Sequence, residues 1–172
     1  SARVASEENV CDQLMQVSEI VAEAIDKLSD YVNEVHVYST YGNHMRTVQN
    51  KNDSIHADNM EKIVPWWIKQ RLKDNSKINM HDNDYYEFIY LNVLGHDVVA
   101  THGDLDPIKK TGLTINSVFN RMYGCAIDYM IVADKHHLET VEDTGIESIL
   151  VGSLCGTDEY ANNKRLYSNP MQ

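Results

Sequence analysis

The sequence predicts an α/β protein, a mixed β-sheet sandwich flanked by helices, in a single domain over residues 1–172. Three observations predict it. Helical and strand-like stretches follow one another as helix, strand, helix, two strands, helix, strand, strand, an order typical of α/β domains. The 172 residues suffice for one real core. There are no repeats, no low-complexity linker and no composition shift that would mark a second domain.

The first helix lies in "SEENVCDQLMQVSEIVAEAIDKLSDYV". Val10, Leu14, Val17, Val21, Ala24 and Leu28 recur at steps of three and four and predict one apolar face. Ser6 is a candidate cap, with Glu7 and Glu8 in the first turn, where the helix dipole favours acids. "EVHVYSTYGNH" predicts a short strand that ends at Gly42. After Ser54, Met60, Ile63, Val64, Trp67 and Leu72 share a helical face, and Pro65 predicts a kink or two abutting helices. "DYYEFIYLNVLGHDVVATHGD" reads as two strands turning at Gly95 and His96. "GLTINSVFNRMYG" predicts a short helix, "CAIDYMIVADKHH" a strand running into a polar loop, and "TGIESILVGSLCGT" a last strand. The tail "DEYANNKRLYSNPMQ" reads as loop. No strand precedes the first helix, which predicts a fragment lacking its N-terminal strands, or a chain whose edges something else covers.

Composition excludes some functions. A formal net charge of −11 argues against nucleic-acid binding by phosphate neutralisation alone. It leaves room for a nuclease whose positive charge comes from metal ions held by carboxylates. Cys11, Cys125 and Cys155 are odd in number, far apart and without CxxC spacing, so free buried thiols and a cytoplasmic setting are expected. No run of 18 apolar residues inserts in a membrane. Eight histidines are a mild excess.

Three polar clusters follow three apolar strands: Gly42–Arg46 (GNHMR), Thr101–Asp106 (THGDLD) and Ala133–His137 (ADKHH). Ligand sites in open α/β sheets gather beyond strand ends, where loops converge. Imidazole with oxygen donors suits manganese, iron or zinc. Each cluster alone also reads as an ordinary surface loop. Adjacent histidines in an extended chain face opposite ways, so one of His136 and His137 at most is a ligand.

The ordered set "GNH", "THGD", a histidine-bearing loop, then a strand and "GSL" resembles the second half of the calcineurin-like metallophosphoesterase signature. The similarity is greatest to the bacteriophage and bacterial branch related to DNA-repair exonucleases. It extends through "YGNHMRTVQNKNDSIHADN", "VATHGDLD" and "VGSLCGTDEYA". The resemblance implies that Asn43 ligates the second metal ion and that His44 protonates the leaving oxygen or stabilises the transition state. It implies that Arg46 binds the substrate phosphate, His102 is a further ligand of the second metal, and the metal ions are divalent, manganese by expectation. Two cations together would polarise the phosphoryl group and hold a hydroxide for in-line attack.

The chain departs from that pattern twice. Where the family has Gly-His-x-His, Ala133-Asp134-Lys135-His136 stands here, so Asp134 replaces one histidine ligand and His136 keeps the other; a one-residue shift would use His137 instead. Lys135 beside the site could engage phosphate. The family's Asp-x-His and Gly-Asp-x-x-Asp motifs, which there precede the helix that opens this chain and supply most ligands of the first metal and the bridging carboxylate, are absent ahead of that helix; the Asp-x-His formed by Asp134, Lys135 and His136 stands in the later loop. The expectation is at most one weakly bound metal ion per chain and no phosphodiesterase activity without the missing motifs.

Other residues carry milder expectations. One of Trp66 and Trp67 should be core, although both could stack on bases. Tyr85, Tyr86 and Tyr90 alternate as a strand face does. His56 and His81 read as surface or hydrogen-bonded residues, and His96 as part of a turn. Asp104 and Asp106 could orient His102. Gly152–Ala161 reads as a turn shaping the site rim.

Three functions compete: a metal-dependent phosphodiesterase or nuclease, a non-catalytic binding or assembly module on the same fold, and a small-molecule phosphomonoesterase. The expected partners are a phosphodiester substrate, DNA among them, and a second copy of the chain covering an exposed sheet edge.

Overall fold

The structure, a computed structural model, describes residues 8–165 apart from 49, 51, 83–86, 105–110 and 158. It bears out a mixed sheet with flanking helices. The contacts gather the chain into two compact units, one ending with the described residues at Asp82 and the other beginning at Glu87.

In the first unit, helix α1 (Val10–Ser29) packs against helix α2 (Ile63–Arg71). Asn9 caps α1, its side-chain oxygen accepting from the Asp12 N–H at 3.1 Å; the candidate cap Ser6, with Glu7, lies outside the described residues. The buried face of α1 is Leu14, Ser18, Ala22 and Ser29, with Val21 and Ile25 packed beside the core. Val10, Val17 and Leu28, expected inside, are exposed. The reason is that the serines are satisfied within the helix. Ser18 Oγ donates to the Leu14 carbonyl and Ser29 Oγ to the Asp26 carbonyl, each at 2.6 Å. Small, self-satisfied side chains then let Ile68 and Leu72 approach Ala22 closely.

Pro65 sits in the first turn of α2, which needs no donor there, and a short 3-10 turn (Met60–Lys62) abuts it. The face turned inward is Val64, Ile68 and Leu72; Met60, Ile63 and both tryptophans keep substantial exposure. Trp67 is drawn to the surface by its ring N–H, which donates to Glu19 Oε2 at 2.9 Å. Strand β1 (Val35–Val37) pairs in parallel with β2 (Ile78–Met80), a strand too short to announce itself in the sequence.

The Trp67 hydrogen bond, followed by that from Arg71 Nε at 3.2 Å, holds the Glu19 carboxyl below the usual carboxylate range. A depressed carboxylate stabilises the fold above its unfolded pKa, and that contribution disappears as pH falls through the folded value. Glu19→Gln should therefore lower the melting temperature at neutral pH, and the gap to the parent should close in acid, measured by thermal unfolding across a pH series.

The second unit is a five-stranded sheet in the order β3-β4-β5-β7-β6. Its strands are β3 (Phe88–Val93), β4 (His96–Thr101), β5 (Tyr129–Val132), β6 (Glu139–Asp143) and β7 (Ile146–Leu150). The expected hairpin joins β3 to β4 through Leu94 and Gly95, with His96 opening β4 rather than making the turn. Strands β4, β5 and β7 are mutually parallel, while β6 returns antiparallel beside β7. Helix α3 (Thr111–Tyr123) buries Ile115 and Phe119, and Phe119 meets Phe88 edge-on at 5.9 Å. The Tyr90 hydroxyl, on β3, donates to Asp97 at 2.8 Å, which pushes its phenol pKa well up. Of the tyrosines expected on that strand face, Tyr85 and Tyr86 lie outside the described residues. Helix α4 (Glu159–Lys164) forms in a segment read as loop.

The three cysteines are free, as expected, but Cys11 and Cys155 are exposed rather than buried. Among the described residues no helix is long and apolar enough to cross a membrane.

Candidate functional site

Because β4, β5 and β7 run in parallel as neighbours, the loops that follow them emerge at one end of the sheet. Two of these loops carry predicted site residues. His102 and Gly103 follow β4, and Ala133 to His137 follow β5. The loops are tied at their bases: the Ala133 N–H donates to the Thr101 carbonyl at 3.3 Å, and the Val151 N–H, after β7, to the Val132 carbonyl at 2.9 Å.

Gly103 makes the close approach possible. Its φ is +98°, and a Cβ there would overlap Val132 Cγ1 and stand 3.2 Å from the Ala133 carbonyl oxygen. Only glycine adopts this backbone without strain and leaves that space. Opposite it, the Lys135 N–H donates to the Ala133 carbonyl at 2.7 Å, closing a three-residue turn around Asp134 at φ +63°. Positive φ in a non-glycine residue is held against a local cost, and such positions cluster at functional sites.

The two loops bring His102 and Asp134 together, with Nε2 and Oδ1 3.5 Å apart. Their side chains are only 22% and 21% exposed. His102 Nε2 is buried and has no hydrogen-bond partner among the described residues. Asp134 is oriented from its other side, where Lys135 Nζ stands 3.1 Å from Oδ2. A buried imidazole nitrogen normally finds a partner. Here it faces a carboxylate oxygen at a separation that two ligands of one small cation could share, and nitrogen with oxygen donors suits manganese, iron or zinc. They are two donors only: among the described residues no group of three or more His, Cys, Asp or Glu side chains is gathered that could hold a metal ion.

The structure also separates the neighbouring histidines. His137 turns outward, its Nδ1 2.8 Å from the Lys135 carbonyl oxygen and its Nε2 3.3 Å from Glu139, so its ring is engaged away from His102. His136, at φ +60°, is half-buried. Asp104 is half-buried in the turn after β4, and Asp106 lies outside the described residues.

In the first unit, Asn43, His44 and Arg46 lie on the loop beyond β1. Asn43 is half-buried with its side-chain oxygen inside, His44 is exposed, and Arg46 is half-buried and bridged to Asn59 through the backbone. Asn59 holds this loop. It is 6% exposed, its amide donates to the Gly42 carbonyl at 2.8 Å, and its oxygen accepts from the Glu61 N–H at 3.0 Å. Glu61 in turn accepts from the Gly42 N–H at 2.5 Å. Sequence reasoning missed Asn59. The signal for it was an N-cap asparagine two residues before a glutamate, opening a helical stretch. Asn59→Ala should cost about 1–3 kcal/mol by leaving the Gly42 carbonyl and Glu61 N–H without their partner. Hydrogen exchange should show faster protection loss at Gly42–Arg46 than in α1.

The fold and the paired loops thus define an α/β protein with an imidazole–carboxylate pair at parallel strand ends. No protein-family model matches the chain. It is 27% identical over 161 residues to YonJ of Bacillus subtilis (strain 168), an SPbeta prophage-derived uncharacterized protein. That match takes in 88% of this chain and 38% of YonJ, so the chain spans well under half of that relative's length. Among solved structures it is similar to a predicted phosphoesterase from Streptococcus pneumoniae, with a TM-score of 0.39 and 15% identity, over 80% of this chain and 66% of that one. It is also similar to Vps29 of Entamoeba histolytica complexed with Zn2+, with a TM-score of 0.35 and 18% identity, over 60% and 57% of the two chains. Neither score is high enough to carry the fold, which stands on its own strands.

Proposed function

We propose that this chain is part of a divalent-metal-dependent phosphoesterase acting on phosphodiester bonds, a nuclease of phage origin by preference. The observation that carries the reading is the buried His102 nitrogen, facing the Asp134 carboxylate across 3.5 Å where two parallel strands end. His102 and Asp134 would hold the ion, with His136 as a further ligand that the sequence pattern names; Asn43, which the pattern also names, belongs to the other compact unit. A bound divalent ion supplies positive charge that polarises the phosphoryl group and lowers the pKa of water. The chain's own side chains do the rest. The sequence pattern gives the roles of phosphate binding and leaving-group protonation to Arg46, whose planar guanidinium suits phosphate oxygens, and to the exposed His44 imidazole, both on the loop beyond β1. Lys135 keeps the Asp134 carboxylate turned so that Oδ1 faces His102.

The prophage setting of YonJ is consistent with a nucleic-acid substrate. The reading is tested by hydrolysis of bis-nitrophenyl phosphate and single-stranded DNA with Mn2+, using the complete reading frame. His44→Asn should lower kcat about 10²- to 10⁴-fold, with metal affinity unchanged. Metal binding without hydrolysis would favour the non-catalytic module, and preference for nitrophenyl phosphate would favour the phosphomonoesterase.

A further inference from the structure

We propose that His36 and His81 form a second metal site, in the first unit, for a late first-row divalent ion such as Zn2+. The strand register puts the two rings on one face. Val35, His36 and Val37 pair with Ile78, Asn79 and Met80. His36 and Asn79 therefore share a face, and His81 returns to it two residues on, its N–H donating to the Val37 carbonyl at 2.9 Å. The other face packs Ile78 and Met80 against the helical core.

On the polar face, His36 Nδ1 and His81 Nε2 stand 2.8 Å apart. The remaining ring nitrogen of His36, Nε2, is 3.2 Å from Glu34 Oε2. A carboxylate can only accept, so Nε2 carries the proton and Nδ1 turns a bare lone pair toward His81. Metal-bound histidines commonly show this arrangement, donating the other N–H to a carboxylate. Tyr38 stacks on the His81 ring, centroids 4.4 Å apart and planes 6° from parallel, and so fixes its orientation. Two imidazole nitrogens each about 2.0–2.1 Å from one tetrahedral ion lie about 3.3 Å apart, so to ligate together the pair opens by about half an ångström and each ring turns until both lone pairs converge on the ion. The His36 side chain is 48% exposed, which leaves a path of entry and room for water to complete the coordination. Imidazole donors with water suit zinc, copper and nickel. The site shares no residue with the His102–Asp134 pair and does not depend on its being a phosphoesterase centre.

The test is Zn2+ titration of the full chain, followed by calorimetry and by the imidazole nitrogen resonances of each histidine. Nδ1 of His36 and Nε2 of His81 should shift together as one ion binds, and this should persist in His102→Leu. His36→Asn and His81→Asn should each weaken this event at least tenfold. Glu34→Ala should weaken it about tenfold with the fold unchanged by circular dichroism. Zn2+ that leaves both nitrogens unshifted in the wild-type chain, or variants that bind this ion as tightly as the parent, would overturn the site and leave a plain histidine–histidine hydrogen bond.

Discussion

Replacing Gly103 with alanine should destabilise the second unit by about 2–5 kcal/mol, the sum of an enforced positive φ and an overpacked contact. The loss is large against the about 5–15 kcal/mol that typically holds a domain together. Its origin is specific. The new methyl group would press on Val132 Cγ1, a buried side chain on β5, and on the Ala133 carbonyl, which anchors the turn around Asp134. Neither neighbour can retreat freely, since one is core and the other backbone. Urea unfolding measures the loss directly. Val132→Ala in the same chain should recover part of it by removing the clashing methyl, a favourable coupling of about 1 kcal/mol. A Gly103→Ala chain as stable as the parent would show that the two loops do not pack as described.

His102→Leu should separate stability from metal binding. In chelator, a buried imidazole nitrogen without a hydrogen-bond partner among the described residues costs stability, roughly 1–3 kcal/mol for such a group. Leucine removes that cost while filling much of the space, so the metal-free variant should melt at the parent's temperature or above it. With Mn2+ at 100 times its dissociation constant, the parent should gain about 2.7 kcal/mol, and the variant should lose the share of that gain that belongs to this site. A histidine buried only for packing would show the reverse, a destabilised variant with an unchanged metal response. Thermal unfolding with and without Mn2+ distinguishes the two.

Much of this fold was legible where sequence signals were long or strongly apolar. The long helix α1, the β3–β4 hairpin, α3 and the core strands β5 and β7 all follow from periodicity or β-branched runs. What escaped was structure whose cause lies elsewhere in the chain. Strand β6 reads Glu-Thr-Val-Glu-Asp, and its pairing with β7 holds it at the sheet edge in place of any apolar pattern. The face of α1 was misjudged because Ser18 and Ser29 satisfy their own hydroxyls and can be buried in place of valine and leucine. At the site, strand-end position and residue type named His102 and Asp134, which the structure brings together. Residue type could not separate His136 from His137; in the structure His137 stands against the Lys135 carbonyl and Glu139. Asn59 had a local cap signal but its tie to Gly42 is 17 residues away, and the pairing of His36 on β1 with His81 just after β2 joins residues 45 apart, beyond any local pattern.

The central claim is that one divalent ion binds between His102 and Asp134. Paramagnetic broadening of the amide spectrum by substoichiometric Mn2+ tests it most directly, since the effect reports distance residue by residue. The amides of His102, Gly103, Ala133 and Asp134 should broaden first, and should keep their intensity in His102→Leu. Undiminished signals at these four positions in the wild-type chain, under Mn2+ that broadens others, would contradict the account.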